Sequence, residues 1–196
     1  MDRFYTVMDI APEYGGIHTG KGTHNALIRL ADQTYLELIA PDPAQQVHKR
    51  WMISGFSGTE GLIRWCWRTN RITEQILTCR GKGWVLGDLM DGNRTRADGS
   101  VLSWKLTDPD CIRTHFEPFL IEWSAGIHPC DSLEEQSSII QIVVSEPDPK
   151  QMSYLNFLPK ETCLKVEKGS SGLSLILETS KGRFRLKNGD MDLSSY

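Results

Sequence analysis

The stretch GTHNALIRLADQTYLELIAPDP, Gly22 to Pro43, decides the fold class because it predicts a β-hairpin. Two apolar runs, His24 to Leu30 and Thr34 to Ala40, flank the turn sequence Ala31-Asp32-Gln33. The second run carries one charged residue, Glu37, between two leucines. On a solvent-facing strand Glu37 would be an ordinary surface carboxylate, whereas on a strand that faces a cavity it would be a functional group.

The bulk composition predicts a soluble globular protein. The chain has 196 residues, of which 39% are hydrophobic and 24% charged. Its net charge of −3 gives no whole-chain attraction to nucleic acid or to anionic membranes. No run reaches the roughly 18 apolar residues of a spanning helix, and the N-terminus lacks the basic-then-apolar order of a signal peptide. We therefore expect a cytoplasmic protein that binds neither nucleic acid nor membranes.

The cysteines argue against a zinc ribbon or a redox dithiol. Their number is odd, and no two have the C-x-x-C spacing. In a reducing compartment they are expected to be buried or incidental thiols. They are Cys66, Cys79, Cys111, Cys130 and Cys163.

The order of the predicted elements repeats along the chain. From Gly61 to Trp123 a strand is followed by a helix and then by antiparallel strands, with Asp91-Gly92 and Asp98-Gly99 as turns. The same order recurs from Ser137 to Leu186. A partial copy before Gly61 contains the hairpin but no leading strand.

This repetition predicts three modules, over residues 1–60, 61–135 and 136–196. Each complete module would be a βαβββ unit, with one partial copy at the start and a related unit at the end. Because a single βαβββ unit leaves one apolar sheet face exposed, the units must pair to bury it.

Five segments in a fixed order carry a family resemblance. They are GGIHTGKGTHNALIRL, YLELIAPDP, NRTRADGSVLSWKL, PFLIEW and the dipeptide His128-Pro129. In this order they resemble the glyoxalase-like branch of the vicinal-oxygen-chelate superfamily, from Gly15 to Pro129 closely and beyond that in outline. The resemblance implies an α+β fold, in which paired βαβββ modules form a cup-shaped, partly open antiparallel or mixed β-barrel with the active site inside.

The resemblance also implies a site chemistry. Members commonly bind a divalent metal through His or Glu of the first and last strands of each module. Glu37 and Glu122 fall at the last-strand acidic positions, so both are expected to face the cup as catalytic groups or metal ligands, with His24 as a third ligand. The ion would be Mg, Mn, Fe or Zn, and a site without metal remains the alternative.

The chain departs from the family pattern at two ligand positions. No strand with a metal-binding histidine precedes the hairpin, and Arg64, Trp65 and Cys66 stand where the second module would carry one. Without the resemblance, Glu37 and Glu122 would be interpreted as solvated carboxylates, or as partners of Arg64 or Arg68.

Further residues of the matching segments are expected to contact the substrate. Arginine holds carbonyl or carboxylate oxygens bidentately, and Arg94 is favoured over Arg96 for this role, with a solvated turn as the alternative. The segment IHTGKGTHN is either a ligand-facing loop or a glycine-rich turn. The predicted substrate-binding residues are His24, Asn25, Arg94, Arg96, Trp104, Trp123 and His128.

The function predicted from these residues is a glyoxalase-like small-molecule enzyme. It would act as a lyase, isomerase or dioxygenase on a substrate with vicinal oxygens. The main alternative is a non-catalytic protein of the same fold that sequesters a small hydrophobic molecule, and a third is a dimerisation protein with a filled cup. The missing leading strand leaves an unpaired sheet edge, so we expect either a homodimer that covers it or a chain that starts downstream of its natural start.

Overall fold

The computed structural model describes residues 2–31, 33–48, 51–53, 60–96, 99–111, 117–124, 128–158 and 163–188. The described α-helices are α1 (Asp2–Met8) and α2 (Ile72–Gly81). Short 3₁₀ helices span Pro109–Cys111, Pro129–Ser132 and Pro149–Phe157. The strands are β1 (Glu13–His18), β2 (Thr23–Ala31), β3 (Thr34–Pro41), β4 (Cys66–Arg68), β5 (Leu89–Thr95), β6 (Val101–Thr107), β7 (Phe119–Trp123), β8 (Ser138–Glu146), β9 (Leu164–Lys168), β10 (Gly172–Thr179) and β11 (Gly182–Lys187).

The first sheet is antiparallel and has the order β1-β2-β3. The predicted hairpin is confirmed as β2 and β3, with Leu27 opposite Glu37 in the register. Strand β1 was not predicted, because Gly15 and Gly16 weaken its strand pattern. A register shift between Tyr14 and Gly16, where Gly16 has φ +140°, lets this strand pair despite the glycines.

The second sheet has the order β4-β7-β6-β5 and follows the predicted βαβββ pattern. Helix α2 lies where its apolar spacing placed it, but the leading strand is only Cys66–Arg68. The predicted turn at Asp91-Gly92 is wrong, because both residues lie within β5. A Cβ on Gly92 would lie 2.2 Å from Trp104 Nε1, so the glycine serves to admit an indole ring rather than to turn the chain. Asp98 of the second predicted turn, and residues 189–196 of the tail, lie outside the described residues.

The third sheet has the same order of elements but a different strand order, β11-β10-β8-β9. Its leading strand β8 is central and pairs in parallel with β9 and antiparallel with β10. In the second sheet the leading strand β4 instead lies at the edge, in parallel with the last strand β7. The module boundaries at residues 60 and 135 remain predictions.

The first sheet lacks the counterpart of β4. Helix α1 and strands β1 to β3 correspond in order to α2 and β5 to β7, so β3 corresponds to β7. Whereas β7 pairs with β4 on its second side, no strand of the described residues pairs with the second edge of β3. Among the described residues, the first sheet therefore has three strands where the second sheet has four.

The third sheet packs across the outer faces of the other two. One buried cluster joins α2 and Leu120 of β7 to Val144 and Leu173 of the third sheet. A second cluster joins α1 and β2 to β10 and β11. A third cluster covers the inner face of the second sheet, where Leu102, Leu106, Phe119 and Ile121 meet Met52. Apolar burial on the outside therefore fixes the two modules while their inner faces line a cavity.

The fold class is the predicted α+β cup. The strands that the structure describes form three open sheets, and none of these sheets is closed into a barrel. None of the described helices has the length and apolar character needed to cross a bilayer.

Gly92→Ala should destabilise the protein by about 1–3 kcal/mol, because the added methyl group displaces the Trp104 ring from β5. Gly81→Ala at the end of α2 is the matched control: a Cβ there meets open space, and the change should be neutral or stabilising by about 0.5–1 kcal/mol. Urea denaturation of both variants measures the difference. Equal effects would show that Trp104 does not depend on Gly92.

Candidate functional site

A cavity of about 1020 Å³ is lined by the inner faces of the first two sheets, by residues 60–68 and by residues of the third sheet. On β3, Leu36 and Leu38 pack outward against the cluster around α1, while Ile39 packs inward. Because side chains alternate along a strand, Tyr35 and Glu37 also face inward. Glu37 therefore lines the cavity and is not an ordinary surface carboxylate of a solvent-facing strand.

Asn25 is the hub of the polar end of this cavity. Its Nδ2 donates to Glu37 Oε1 at 2.6 Å and lies 3.4 Å from His18 Nε2. Its Oδ1 accepts from Arg94 Nη1 at 3.4 Å. Asn25 and Arg94 are 5% and 4% exposed, so one buried carboxamide links a carboxylate, an imidazole and a guanidinium.

His18 lies beside Glu37, with 3.6 Å between Nε2 and Oε1. Because Asn25 donates toward Nε2, the proton of the neutral ring resides on Nδ1, which donates to Thr23 Oγ1 at 2.9 Å. Burial lowers the pKa of His18 below its ordinary value, and the Arg94 charge acts in the same direction against the opposing effect of Glu37. His18 is therefore neutral at physiological pH.

Arg94 brings a buried positive charge to the cavity from β5. Burial lowers its pKa, and the Glu37 carboxylate opposes that shift. An unpaired buried guanidinium would cost several kcal/mol, and the nearby carboxylate offsets part of this cost. The two residues come from different sheets, and Asn25 bridges them.

Gly15 and Gly16 make this approach possible. A Cβ on Gly15 would lie 2.3 Å from Asn25 Oδ1 and 2.5 Å from Arg94 Nη1. A Cβ on Gly16 would lie 3.1 Å from the carbonyl oxygen of Thr95, where β1 passes β5. The two glycines of the GGIH segment therefore create the space in which the polar end is built.

Four rings form an aromatic end of the same cavity. Trp123 lies 5.2 Å from Trp104, 5.8 Å from His128 and 6.4 Å from Tyr35, measured between ring centroids. All four line the cavity. Burial raises the pKa of Tyr35 well above its ordinary range, and the carboxylate of Glu37 adds to the shift, so its phenol stays protonated.

Comparison with known proteins is consistent with this geometry. The family model of the glyoxalase-like domain matches residues 1–156. The chain belongs to the glyoxalase-like domain family. A crystal structure of a hypothetical protein from Staphylococcus aureus is similar, with a TM-score of 0.58 and 18% identity over 92% of this chain and 80% of that one. This likeness supports the fold alone, and a comparison with curated proteins finds no match.

Glu122 does not line the cavity, so the prediction that it faces the cup together with Glu37 is wrong. Its Oε2 accepts a hydrogen bond of 2.6 Å from the backbone nitrogen of Ile72, the first residue of α2. On β7, Phe119 and Ile121 point inward, and Leu120 points toward α2. Alternation places Glu122 with Leu120, where its carboxylate satisfies an orphan donor at the N-terminus of α2.

The other predicted residues divide between the cavity and its surroundings. Asn25, Arg94, Trp104, Trp123 and His128 line the cavity. His24 also contributes to the lining, but it alternates with Asn25 along β2, and its ring makes an edge contact with Tyr14. Arg96 is not among the lining residues, and its Nη2 donates to the carbonyl oxygen of His128 at 3.5 Å.

His128 combines two roles. Its Nδ1 accepts from the backbone nitrogen of Cys130 at 3.2 Å, and its own backbone nitrogen donates to Asp131 Oδ2 at 2.7 Å. These bonds cap the 3₁₀ helix Pro129–Ser132. The same bonds fix the ring against Trp123 and the cavity.

The predicted metal ligands Glu37, Glu122 and His24 do not converge on one point, because Glu122 lies at α2. Within the described ranges, no group of three or more His, Cys, Asp or Glu side chains is placed to hold a metal ion. Glu37 and His18 supply two donor atoms near one another, which is fewer than a protein metal site uses. The described donor set therefore does not fit the divalent metal that is common in the superfamily.

Tyr35 and Trp51 are among the cavity residues that were missed from the sequence. Tyr35 precedes Glu37 by two residues, and the period of a strand could have placed both on one face. Trp51 packs edge-on against His18 at 5.2 Å between ring centroids, and Lys21 lies 5.8 Å from its ring. Trp51 follows β3 in a connection without periodicity, so no sequence signal could have found it.

The cavity also extends around the unpaired edge of β3. Its lining includes Tyr35 and Glu37 from the inner face, and Leu36, Leu38 and Phe4 from the outer side. Residues 60–68, which end in β4, form the opposite wall. The cavity therefore continues around this edge from one face of β3 to the other.

The stability of the protein should fall as the pH drops below about 6.5, because the unfolded chain then binds a proton at His18 that the folded chain resists. His18→Gln should reduce this loss, since glutamine keeps a donor and an acceptor but does not titrate in this range. His48→Gln, which changes an exposed histidine, should leave it intact. Urea denaturation at several pH values between about 5 and 7.5 measures it, and identical pH profiles for wild type and His18→Gln would contradict the lowered pKa.

Proposed function

We propose that this chain is a small-molecule enzyme of the glyoxalase-like type that moves a proton on a substrate with adjacent oxygens. Glu37 acts as the base at a carbon next to a carbonyl group, which is chemistry of the isomerase or lyase type. The observation that carries the proposal is the Glu37 carboxylate, held in the cavity by Asn25 and next to the charge of Arg94.

The proton transfer balances within the site. Glu37 takes the proton from the carbon of an α-hydroxyketone, the C–H electron pair forms a carbon–carbon double bond, and the carbonyl π pair moves to oxygen. The guanidinium of Arg94 stabilises the negative oxygen, and Asn25 orients the Glu37 carboxylate. Protonated Glu37 then returns the proton to the same carbon, or to the former carbonyl carbon when the hydroxyl proton of the enediolate moves to the former carbonyl oxygen, and no oxidant or reductant is consumed.

The neutral state of His18 supports this assignment. A cationic imidazole 3.6 Å from Glu37 would hold the carboxylate as an ion pair and weaken it as a base. Since burial keeps His18 neutral, its role is to position Asn25 and Thr23 around the carboxylate.

Hydrogen exchange tests the proposal directly. The protein should catalyse deuterium incorporation from D₂O into hydroxyacetone, dihydroxyacetone or 2-hydroxyacetophenone, followed by proton NMR. Glu37→Gln should slow this exchange by about 10²- to 10⁴-fold, because it removes the base and keeps the shape. Glu122→Gln is the matched control: it makes the same chemical change at α2 and should leave exchange per folded molecule unchanged. Exchange that survives Glu37→Gln would contradict the catalytic role.

The alternative function is a protein of the same fold that sequesters a small molecule. The observation that favours it is the aromatic end, where rings line a cavity at the upper end of the volume range of ligand sites. A binding protein would take up ligand equally well with Glu37→Gln and would catalyse no exchange. The same experiment therefore decides between the two functions.

We also propose a cytoplasmic homodimer. The unpaired edge of β3 supports association, because an open strand edge without lysine or proline between Thr34 and Ala40 is a template for another chain. All five cysteines are thiols in the structure, which supports a reducing compartment.

Sedimentation velocity at about 1 to 50 µM should show a species of twice the chain mass. The melting temperature should rise with concentration, because association stabilises the folded state by mass action. A single monomeric species with a constant melting temperature over this range would contradict the dimer.

A further inference from the structure

The two ends of the cavity have different chemistry, and both bear on what it binds. The polar end consists of Glu37, Asn25, His18 and Arg94, and the aromatic end of Tyr35, Trp104, Trp123 and His128. Tyr35 and Glu37 lie two residues apart on the inner face of β3, which is about 7 Å along the strand. One ligand of moderate size can therefore touch both ends at once.

The polar end has no surplus charge. The positive charge of Arg94 is matched by Glu37, and the buried imidazole of His18 is neutral. The guanidinium of Arg64, which also lines the cavity, pairs with Asp110 at 3.2 Å between Nη2 and Oδ1. Arg68 donates to Gln33 in an exposed pair at the edge, where solvent screens its charge. An anionic ligand would have to displace Glu37 from Arg94 before it gained a partner.

The aromatic end is built to receive a ring. Gly92 has no side chain, so the Trp104 ring can pack directly on β5. The hydrogen bond to Cys130 fixes the His128 ring. Trp123 therefore lies between two rings of fixed orientation. Tyr35 and Trp123 are only half-buried, and the faces they expose line the cavity. Such rings pack on a ligand ring in offset or edge-on geometry.

We infer that the site takes neutral aromatic molecules with a carbonyl or hydroxyl oxygen beside the ring, such as aryl hydroxyketones, rather than aliphatic or anionic compounds. The ring packs against Tyr35 and Trp123, and the oxygen-bearing carbon lies beside Glu37. This inference rests on the proposed function for the placement of the reacting carbon beside Glu37. It adds that the ligand is neutral and carries an aromatic ring.

Four probe compounds distinguish the effect of the ligand's charge on affinity from the effect of its aromatic ring. They are 2-hydroxyacetophenone (neutral, aromatic), benzoylformate (anionic, aromatic), hydroxyacetone (neutral, aliphatic) and pyruvate (anionic, aliphatic). Isothermal titration calorimetry at pH 7 should give at least 10-fold tighter binding of 2-hydroxyacetophenone than of any other probe. Comparable or tighter binding of benzoylformate, equal affinities for the two neutral ketones, or no binding of any probe would overturn the ligand class.

A charge change at the polar end tests neutrality separately. Glu37→Gln leaves the Arg94 charge unmatched, so the affinity for benzoylformate should rise about 10-fold relative to that for 2-hydroxyacetophenone. Glu122→Gln removes an equal charge away from the cavity and should leave this ratio unchanged. A ratio that does not respond to Glu37→Gln would show that the carboxylate does not neutralise Arg94.

Changes at the aromatic end test the ring contact. Trp123→Leu should weaken 2-hydroxyacetophenone binding about 10-fold and hydroxyacetone binding less than 2-fold, whereas Trp123→Phe should retain most of the affinity. Trp84→Phe, a buried tryptophan packed near α2 outside the cavity lining, controls for the loss of an indole. Circular dichroism and melting curves confirm that each variant is folded, and equal loss for both ketones in folded Trp123→Leu would overturn the ring contact.

The exchange and binding experiments distinguish a wrong ligand class from a wrong catalytic function. Glu37-dependent exchange of hydroxyacetone without any preference for a ring overturns the ligand class and leaves the function standing. Ring-selective binding without exchange in any ketone overturns the catalytic function and supports the ligand class.

Discussion

The buried charge of Arg94 is the constraint around which the first two sheets are arranged. A guanidinium that is 4% exposed needs hydrogen-bond acceptors and a nearby negative charge. Asn25 supplies an acceptor from β2, and Glu37 supplies the charge from β3. The contact requires β1 to pass close to β5, and only glycines at positions 15 and 16 leave room for it. The burial of Arg94 thus explains why glycines occupy positions 15 and 16, why β1 contacts β5, and why Glu37 lies close to Arg94.

The third sheet holds this arrangement from outside. It contributes apolar residues to the clusters around α1 and α2, and none of its strands carries a residue of the polar end. Its strand order differs from that of the second sheet, because β8 is buried in the middle rather than placed at an edge. Two units with the same order of elements therefore have different roles: the second sheet carries Arg94 and the aromatic end, and the third sheet buries the backs of both modules and adds only apolar residues and Ser174 to the cavity lining.

The hairpin, α2 and the βαβββ order could be predicted from the sequence because periodicity and turn residues are local signals. The position of Glu122 could not, because the segment PFLIEW is apolar on both faces and its alternation does not reveal which one faces the cavity. Glu37 lies in a similar run, and only the packing of Leu36 and Leu38 against α1 shows which way it points. The role of Gly92 was hidden as well, because Asp-Gly is a turn signal and its contact with Trp104 is visible only in the paired strands.

The edge of β3 that no described strand pairs with is both a wall of the cavity and the surface proposed for association. Glu37 on one face of this strand and Leu36 and Leu38 on the other all line the cavity. A second chain that paired along this edge would therefore add a wall to the cavity. Ligand affinity would then depend on protein concentration, because only the associated form would have the complete wall.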